Sequence, residues 1–467
     1  MHVQLQTKSK LFCGDDASFG AEPNTHISPI TLAHPGTLPK MNEQAIEYAI
    51  KLGISLNCTM EQDNYFARKN YFYPDLPKGY QVSQHTTPIC KNGNVHIKTD
   101  KVDKRILLNR IHIEEDAGKS IHDVNDDFTS IDLNRAGVPL LEIVSEPDLR
   151  SAEEAFAYIT QLRKLVRWLG ICDGNMEEGS MRCDANVSIR LKGEKKLCTR
   201  VEIKNLNSIR HVKKAIEYEA ARLKSLVENG EKIIQETRSY DEDKNITFSI
   251  RSKEEADDYR YLPEPDLCPF HISDSFLQKV KEGMPPSPDE LKKKYINILL
   301  LPEYDASFIC EDRDQVNYFE ALIIHTSNFK AAANWMMGPL RNYINQAQIP
   351  FIEFPLNPEK IAHLIKLVDE NKINFSNAST KIFHSLIENP GSDVLQLAGK
   401  MNLLQDSDIP SIEAWIEEVM YKMPEKVKEY QSGKKGLMGL FAGEIKKLSK
   451  GKADMQLVNK LLSEKLN

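Results

Sequence analysis

The sequence predicts an α+β protein. A mixed or antiparallel-sheet cradle domain is expected over residues 1–288, an all-α helical domain over 289–405 and a small helical tail domain over 406–467. Three observations carry this division. Short β-type runs such as VPLLEIVS, ANVSIRL and RVEIKNL crowd the first part of the chain and alternate with turns. The run Pro285-Pro286-Ser287-Pro288 then breaks the chain. Beyond it, stretches such as DQVNYFEALIIHT and PEKIAHLIKLVDEN space their apolar residues for helices.

Along the first domain, RKNYFYPDLPKGYQVSQ (68–84) reads as a shaped polar loop. Its prolines fix the backbone path, and its tyrosine hydroxyls need partners when buried. ILLNRIHI reads as a strand and runs into RIHIEEDAGKS (110–120). That segment ends in the Gly-Lys-Ser of a phosphate-cradling loop, but such a loop needs a glycine where Ile113 stands. Strand alternation instead sends Ile111, Ile113 and Glu115 to one face and His112 and Glu114 to the other. Carboxylates at a strand end suit a hard cation such as Mg2+, or else a solvated acidic turn. Ser151 and Glu154 form a capping-box pattern that opens a helix carrying Phe156, Ile159, Leu162, Leu165, Val166 and Leu169. A second helix is expected from about Ile209 to Asn229, stopped by Gly230.

Charged residues inside apolar strands mark the chemistry. Glu142 lies in VPLLEIVSEPD, Asp184 and Asn186 open a strand after a Gly-Ser turn, and Glu202 and Lys204 share one face of TRVEIKNLNS. A buried charge needs a partner or a metal. Each alone reads as a salt-bridged structural acid, but together they point to a site.

Composition bounds the rest. The chain is 41% hydrophobic and 28% charged with a net charge of −7, which argues against wholesale coating of nucleic acid. The tail from Tyr421 onwards holds eleven lysines and five acids, a basic surplus that suits RNA phosphates or a plain solvated face. No apolar run approaches the roughly 20 residues that span a bilayer. Eight cysteines without a C-x-x-C pair suggest reduced thiols and a cytoplasmic setting.

The chain resembles the B subunits of the tRNA-dependent amidotransferases. FGAEPNT, RKNYFYPDLPKGYQ, HIEEDAGKS, LNRAGVPLLEIVSEPDLRS, NMEEGSMRCDANVSIR, EIKNLNS, DDYRYLPEPD and GKADMQLVNKLL carry the likeness, in order along essentially the whole chain. The resemblance implies ATP-dependent transamidation of Glu-tRNA(Gln), Asp-tRNA(Asn) or both, by a ligase that takes its nitrogen from glutamine. The side-chain carboxylate is phosphorylated and then amidated by ammonia from an amidase subunit, and a small third subunit fastens the heterotrimer. It also implies ATP and Mg2+ as cofactors. Glu115, Asp184 and Glu202 are expected around the metal with His2, and Glu142 is a weaker candidate. Ser180, Arg182, Lys204 and Asn205 are expected at nucleotide and phosphate. Lys69, Tyr71, Tyr73 and Lys78 are expected on an ammonia path, with Glu115, Lys69, Lys78 and Lys204 as the catalytic set. Lys434, Lys435, Lys446, Lys447, Lys450 and Lys452 are expected to touch tRNA. The alternatives are a non-catalytic tRNA-binding scaffold and a metal-dependent nuclease.

Two departures from that family stand out. Its members begin with a strand ending Gly-Leu-Glu before the residues that are His2-Val3 here, and Met1 is expected to be an internal methionine mistaken for a start. Some relatives carry a four-cysteine zinc knuckle, whereas this chain has Cys13, Asp15, Ser28 and Thr31 at those places. One soft ligand does not hold tetrahedral zinc, so none is expected.

Overall fold

The computed structural model describes residues 1–122, 127–252, 259–405, 408–449 and 452–466. The chain divides into two compact units, Met1–Pro285 and Pro286–Asn467. The expected junction between helical domain and tail, at 405/406, borders residues outside the described ones.

The first unit is built on a sheet with thirteen strands among the described residues. Its main path runs Ile246–Ser252, Glu236–Asp241, Val201–Leu206, Met181–Val187, His2–Gln4, Pro139–Ser145, Asp103–Glu115, Tyr80–Ser83, Ala67–Asn70 and Arg260–Pro263. Val201–Leu206 and Glu236–Asp241 pair parallel, and the other neighbours on the path pair antiparallel, so the sheet is mixed. Side chains alternate across such a sheet. Val3, Leu141 and Ile113 are register partners, as are Ile143 and Ile111, and all five are buried on one face. The helix Glu43–Ser55 packs on Asp103–Glu115, and Ile209–Glu228 packs on Met181–Val187 and Val201–Leu206. Covering one face of an antiparallel sheet leaves polar residues for the other.

Helix ends follow local chemistry. The Ser151 hydroxyl accepts from the Glu154 N–H at 3.2 Å and opens the helix Ala152–Trp168. The reciprocal half of the expected capping box goes elsewhere. The Glu154 carboxylate accepts from the Arg150 N–H at 2.8 Å and pairs with Lys104 at 2.7 Å, since a lysine ammonium binds a carboxylate more strongly than a neutral amide does. Phe156, expected on the buried face, is 37% exposed. Ala152, Ala155 and Tyr158 join Ile159, Leu162 and Val166 in the core instead. Gly230 has φ +75° directly after the cap of Ile209–Glu228, a conformation that disfavours a side chain. Gly118, the glycine of Gly-Lys-Ser, serves close packing: a Cβ there would lie 2.8 Å from the Asp132 carbonyl oxygen.

The second unit is helical. Ser287 and Glu290 form a full capping box at the start of Pro288–Asn297, so the proline run that breaks the chain also starts a helix. FKAAANWMMGPLRNYINQ forms Phe329–Trp335 and Arg341–Ala347 around a π-turn at Met336–Leu340. Pro339 lies in that turn and cannot donate a backbone hydrogen bond. The tail helices Ile409–Lys422, Met438–Leu448 and Met455–Leu466 bury Ile412, Ile416, Phe441, Ile445, Val458 and Leu462 in a core of their own.

Candidate active site

The face of the sheet opposite the apolar core, termed the open face although His112 and Glu114 on it are buried, assembles the site by register alone. Across adjacent strands, Arg182, His2, Glu142 and His112 form one row, and Gln4, Leu140 and Glu114 form the next. His2 Nε2 lies 3.5 Å from Glu114 Oε1 and 3.8 Å from Glu142 Oε1. His112 Nε2 lies 2.9 Å from Glu142 Oε2 and 3.5 Å from Glu114 Oε2. Burial pushes the Glu142 carboxyl up, but the His112 hydrogen bond and charge outweigh it and hold the group well below the usual carboxylate range. Burial lowers the pKa of His2. At His112 burial acts the same way, but its bonds to Glu114 and Glu142 prevail and raise the pKa.

Cationic and acidic groups flank this cluster. Asp116 is buried, and its Oδ2 accepts from Arg182 Nη2 at 2.7 Å and Gln4 Nε2 at 2.6 Å, with Arg135 Nε 3.8 Å away. Lys204 Nζ lies 3.4 Å from Asp184 and 3.6 Å from Glu202. The Asn205 amide donates to Ser239 Oγ at 2.9 Å, and the Ser180 hydroxyl donates to Asp173 at 3.2 Å.

The donor set of His2, Glu114 and Glu142 fits a divalent cation. One ligand atom from each lies within 4.8 Å of the others. The contacts of His2 with the acids are too long for strong hydrogen bonds, yet such separations are what bonds of about 2.1 Å leave between ligands of one ion. Two carboxylates suit Mg2+, and the imidazole also admits Mn2+.

Of the sequence-expected metal set, His2 joins this cluster. Asp184 lies on the next strand, where its charge acts on His2 and it pairs with Lys204, and Glu202 lies beside Lys204 two strands away. Glu115 sits on the opposite face, where it accepts from Lys78 and from the Val82 N–H at 2.8 Å. Successive strand residues face opposite ways, so Glu114 and Glu115 cannot share a site on one face. The lysines expected on the ammonia path divide in the same way. Lys69 Nζ lies over the rings of Tyr259 and Tyr71, 4.7 and 5.6 Å from their centroids, and Tyr73 packs on Tyr71. Lys78 and Glu115 instead line a cavity of about 230 Å3 with Phe12, Tyr80, Val82 and Glu264. Sequence reasoning missed Glu114, His112 and Asp116. The alternation in HIEED pointed to Glu114, but only the neighbouring strands single it out.

At the positions of the relatives' knuckle, Thr31 Oγ1 donates to Asp15 Oδ2 at 2.5 Å and lies 3.5 Å from Cys13 Sγ. Among the described tail residues, Lys434 pairs with Glu429, Lys447 with Glu444, and Lys435 lies over the Tyr430 ring, while Lys446 and Lys452 are exposed. Lys450 lies outside the described residues. No helix among the described residues is long and apolar enough to cross a membrane.

A mixed-sheet unit carrying an acid–imidazole cluster that fits a divalent cation, in a chain with a second, helical unit, has the make-up of a metal-dependent enzyme. Residues 1–278 match the family model described as the GatB/GatE catalytic domain, and residues 317–466 match the GatB domain. Curated relatives named as the B subunit of aspartyl/glutamyl-tRNA(Asn/Gln) amidotransferase align over 100% of this chain and 98% of their own length. They include proteins of Trichlorobacter lovleyi at 48% identity, Nitratidesulfovibrio vulgaris at 46% and Chlorobium phaeobacteroides at 46%. The chain belongs to the GatB/GatE family of tRNA-dependent amidotransferase proteins.

Proposed function

We propose that this chain activates the side-chain carboxylate of Glu-tRNA(Gln), Asp-tRNA(Asn) or both with ATP and passes it to ammonia. It does so in a heterotrimer with an amidase subunit and a small fastening subunit. The observation that carries the reading is the His2–Glu114–Glu142 cluster with Arg182 beside it, in a chain of this family. A carboxylate resists an amine because its leaving group would be oxide, and transfer of the γ-phosphoryl group to its oxygen supplies phosphate as the leaving group. A divalent cation held by His2, Glu114 and Glu142 would neutralise charge on the transferring group. Arg182, steadied by Asp116, offers its remaining N–H donors to phosphate oxygens, and Lys204 adds positive charge two strands away.

In this reading ammonia arrives through the cavity of Lys78 and Glu115, which also borders Asp116 beside Arg182. There the Glu115 carboxylate is placed to take a proton from ammonium, with Lys78 holding it in position. Glu115→Gln is then expected to abolish glutamine-dependent amidation while glutamine hydrolysis by the amidase is partly kept, measured as amidated tRNA against free glutamate. Unchanged amidation would remove Glu115 from the path.

The deciding experiment is reconstitution with the amidase and fastening subunits, scored as ATP-dependent formation of Gln-tRNA or Asn-tRNA. Tight tRNA binding without product would leave the scaffold reading, and ATP-independent cleavage of RNA would favour a nuclease. For the tail, the pair Lys446→Glu and Lys452→Glu is expected to weaken tRNA binding and flatten its salt dependence by about two units of slope. A slope equal to that of the wild type would place the tail away from RNA.

A further inference from the structure

We propose that Arg110 grips the side-chain carboxylate carried by the aminoacyl-tRNA, the acid that is to be phosphorylated. The proposal deepens the transamidation reading and rests on it.

Arg110 lies on the strand Asp103–Glu115, two residues before His112 and four before Glu114, so all three face the open side of the sheet. Its register partner Val144 is two residues beyond Glu142, which puts Arg110 one row, about 7 Å, from the His112–Glu142 row. The residue is half-buried, and its Nε is buried with no hydrogen-bond partner. Across the other ladder it faces Lys91, whose ammonium is taken by Glu61. Leaving a guanidinium N–H buried and unpaired is unfavourable unless an acceptor arrives.

The neighbouring cations are held in place by acids or rings, and Arg182, whose own Nε is also buried without a partner, is the one turned to phosphate in the transamidation reading. Asp116 holds Arg182, Asp184 and Glu202 hold Lys204, and Lys69 lies over two tyrosine rings. Arg110 and the two cluster acids act on one common neighbour, Tyr261. Burial and the charges of Glu114 and Glu142 push the Tyr261 hydroxyl pKa up, and the Arg110 charge opposes them. Tyr261 itself is fixed by stacking on His85, with ring centroids 3.8 Å apart.

The chemistry selects a carboxylate. Glu114 and Glu142 repel any further acid brought to the site, and a cation on the substrate side offsets that repulsion. A guanidinium matches both oxygens of a carboxylate with two parallel N–H bonds and fixes its plane, which a lysine does not. It also penalises the amide product, whose NH2 group would meet N–H donors with no acceptor to offer. A nucleotide phosphate offers similar oxygens, so the test separates the two.

The test uses the full heterotrimeric complex and compares wild type, Arg110→Gln and Arg110→Lys. Measured quantities are KM for Glu-tRNA, KM for ATP, and equilibrium binding of Glu-tRNA and Gln-tRNA. Arg110→Gln is expected to raise KM for Glu-tRNA about tenfold or more, the loss of a charge-assisted pair. KM for ATP should stay within about twofold. The wild-type preference for Glu-tRNA over Gln-tRNA should collapse, which a merely structural role would not cause. Arg110→Lys should recover only part of the loss. Unchanged KM and preference overturn the proposal, and so does an effect confined to ATP, which would assign Arg110 to phosphate. If Arg110→Gln does not fold, as judged by its melting curve, Arg110→Lys carries the same comparison. A wild-type complex that makes no amidated tRNA would sink the transamidation reading itself, whereas failure of this proposal leaves that complex active.

Discussion

Glu114→Gln is expected to lower ATP-dependent amidation by at least about 10³-fold, the scale on which a lost metal ligand or transition-state contact acts. The physical reason is placement. Glu114 reaches both imidazoles of the cluster and is one of the three residues, with His2 and Glu142, whose ligand atoms lie within 4.8 Å of one another. The amide keeps the shape but removes the charge that would bind a cation. Folding should survive, because the change removes one of two crowded carboxylates and leaves no cation unpaired. The melting temperature should therefore hold or rise, while titration with Mg2+ or Mn2+ should show the loss of a site. Retained activity would move the chemistry away from this cluster. The contrast with Glu115→Gln is informative, since the two residues are neighbours in sequence but serve opposite faces. ATP turnover should fail in the first variant and persist in the second.

Asp116→Ala is expected to destabilise the protein by about 1–3 kcal/mol, because it removes the buried acceptor of Arg182 and Gln4 while the Arg182 side chain, about a third exposed, keeps contact with water. Denaturant melts of the isolated chain measure this. Asp116→Asn should lose less, since the amide oxygen still accepts a hydrogen bond. The pH dependence has a definite sign. Burial raises the Asp116 pKa, but Arg182, Arg135 and Gln4 outweigh it and hold the group below its ordinary 3.8. A depressed acid contributes stability above its unfolded pKa and loses it as pH falls through the folded value. Wild type should thus lose this contribution below about pH 4, and Asp116→Ala should lack that part of the acid transition. Identical acid limbs in both proteins would show that the Asp116–Arg182 pair adds nothing net.

Much of the fold was legible because it depends on local pattern. The strands around VPLLEIVS and RVEIKNL, the helix after Ser151, the stop at Gly230 and the change at the proline run each follow from residue spacing and backbone preference. What misled was competition between local rules and distant partners. Glu154 left its cap for Lys104, and Phe156 turned outward because Ala155 and Tyr158 fit the core. Neither Lys104 nor the packing partners can be inferred from the helix alone.

The site shows the same limit more sharply. The sequence by itself determined that Glu114 and Glu115 must part to opposite faces, that acids and lysines occur within apolar strands, and that the chain carries the motifs of its family. Only the tertiary structure decided which face carries the polar cluster, because helices from elsewhere in the chain pack an apolar core on the other. It also decided which acids meet. Sheet order puts His2–Gln4 between Pro139–Ser145 and Met181–Val187, and that insertion of a remote strand brings His2 to Glu142 and Arg182. Strand order is a long-range choice made by burial and ladder pairing over the whole sheet, and no short window of residues contains it.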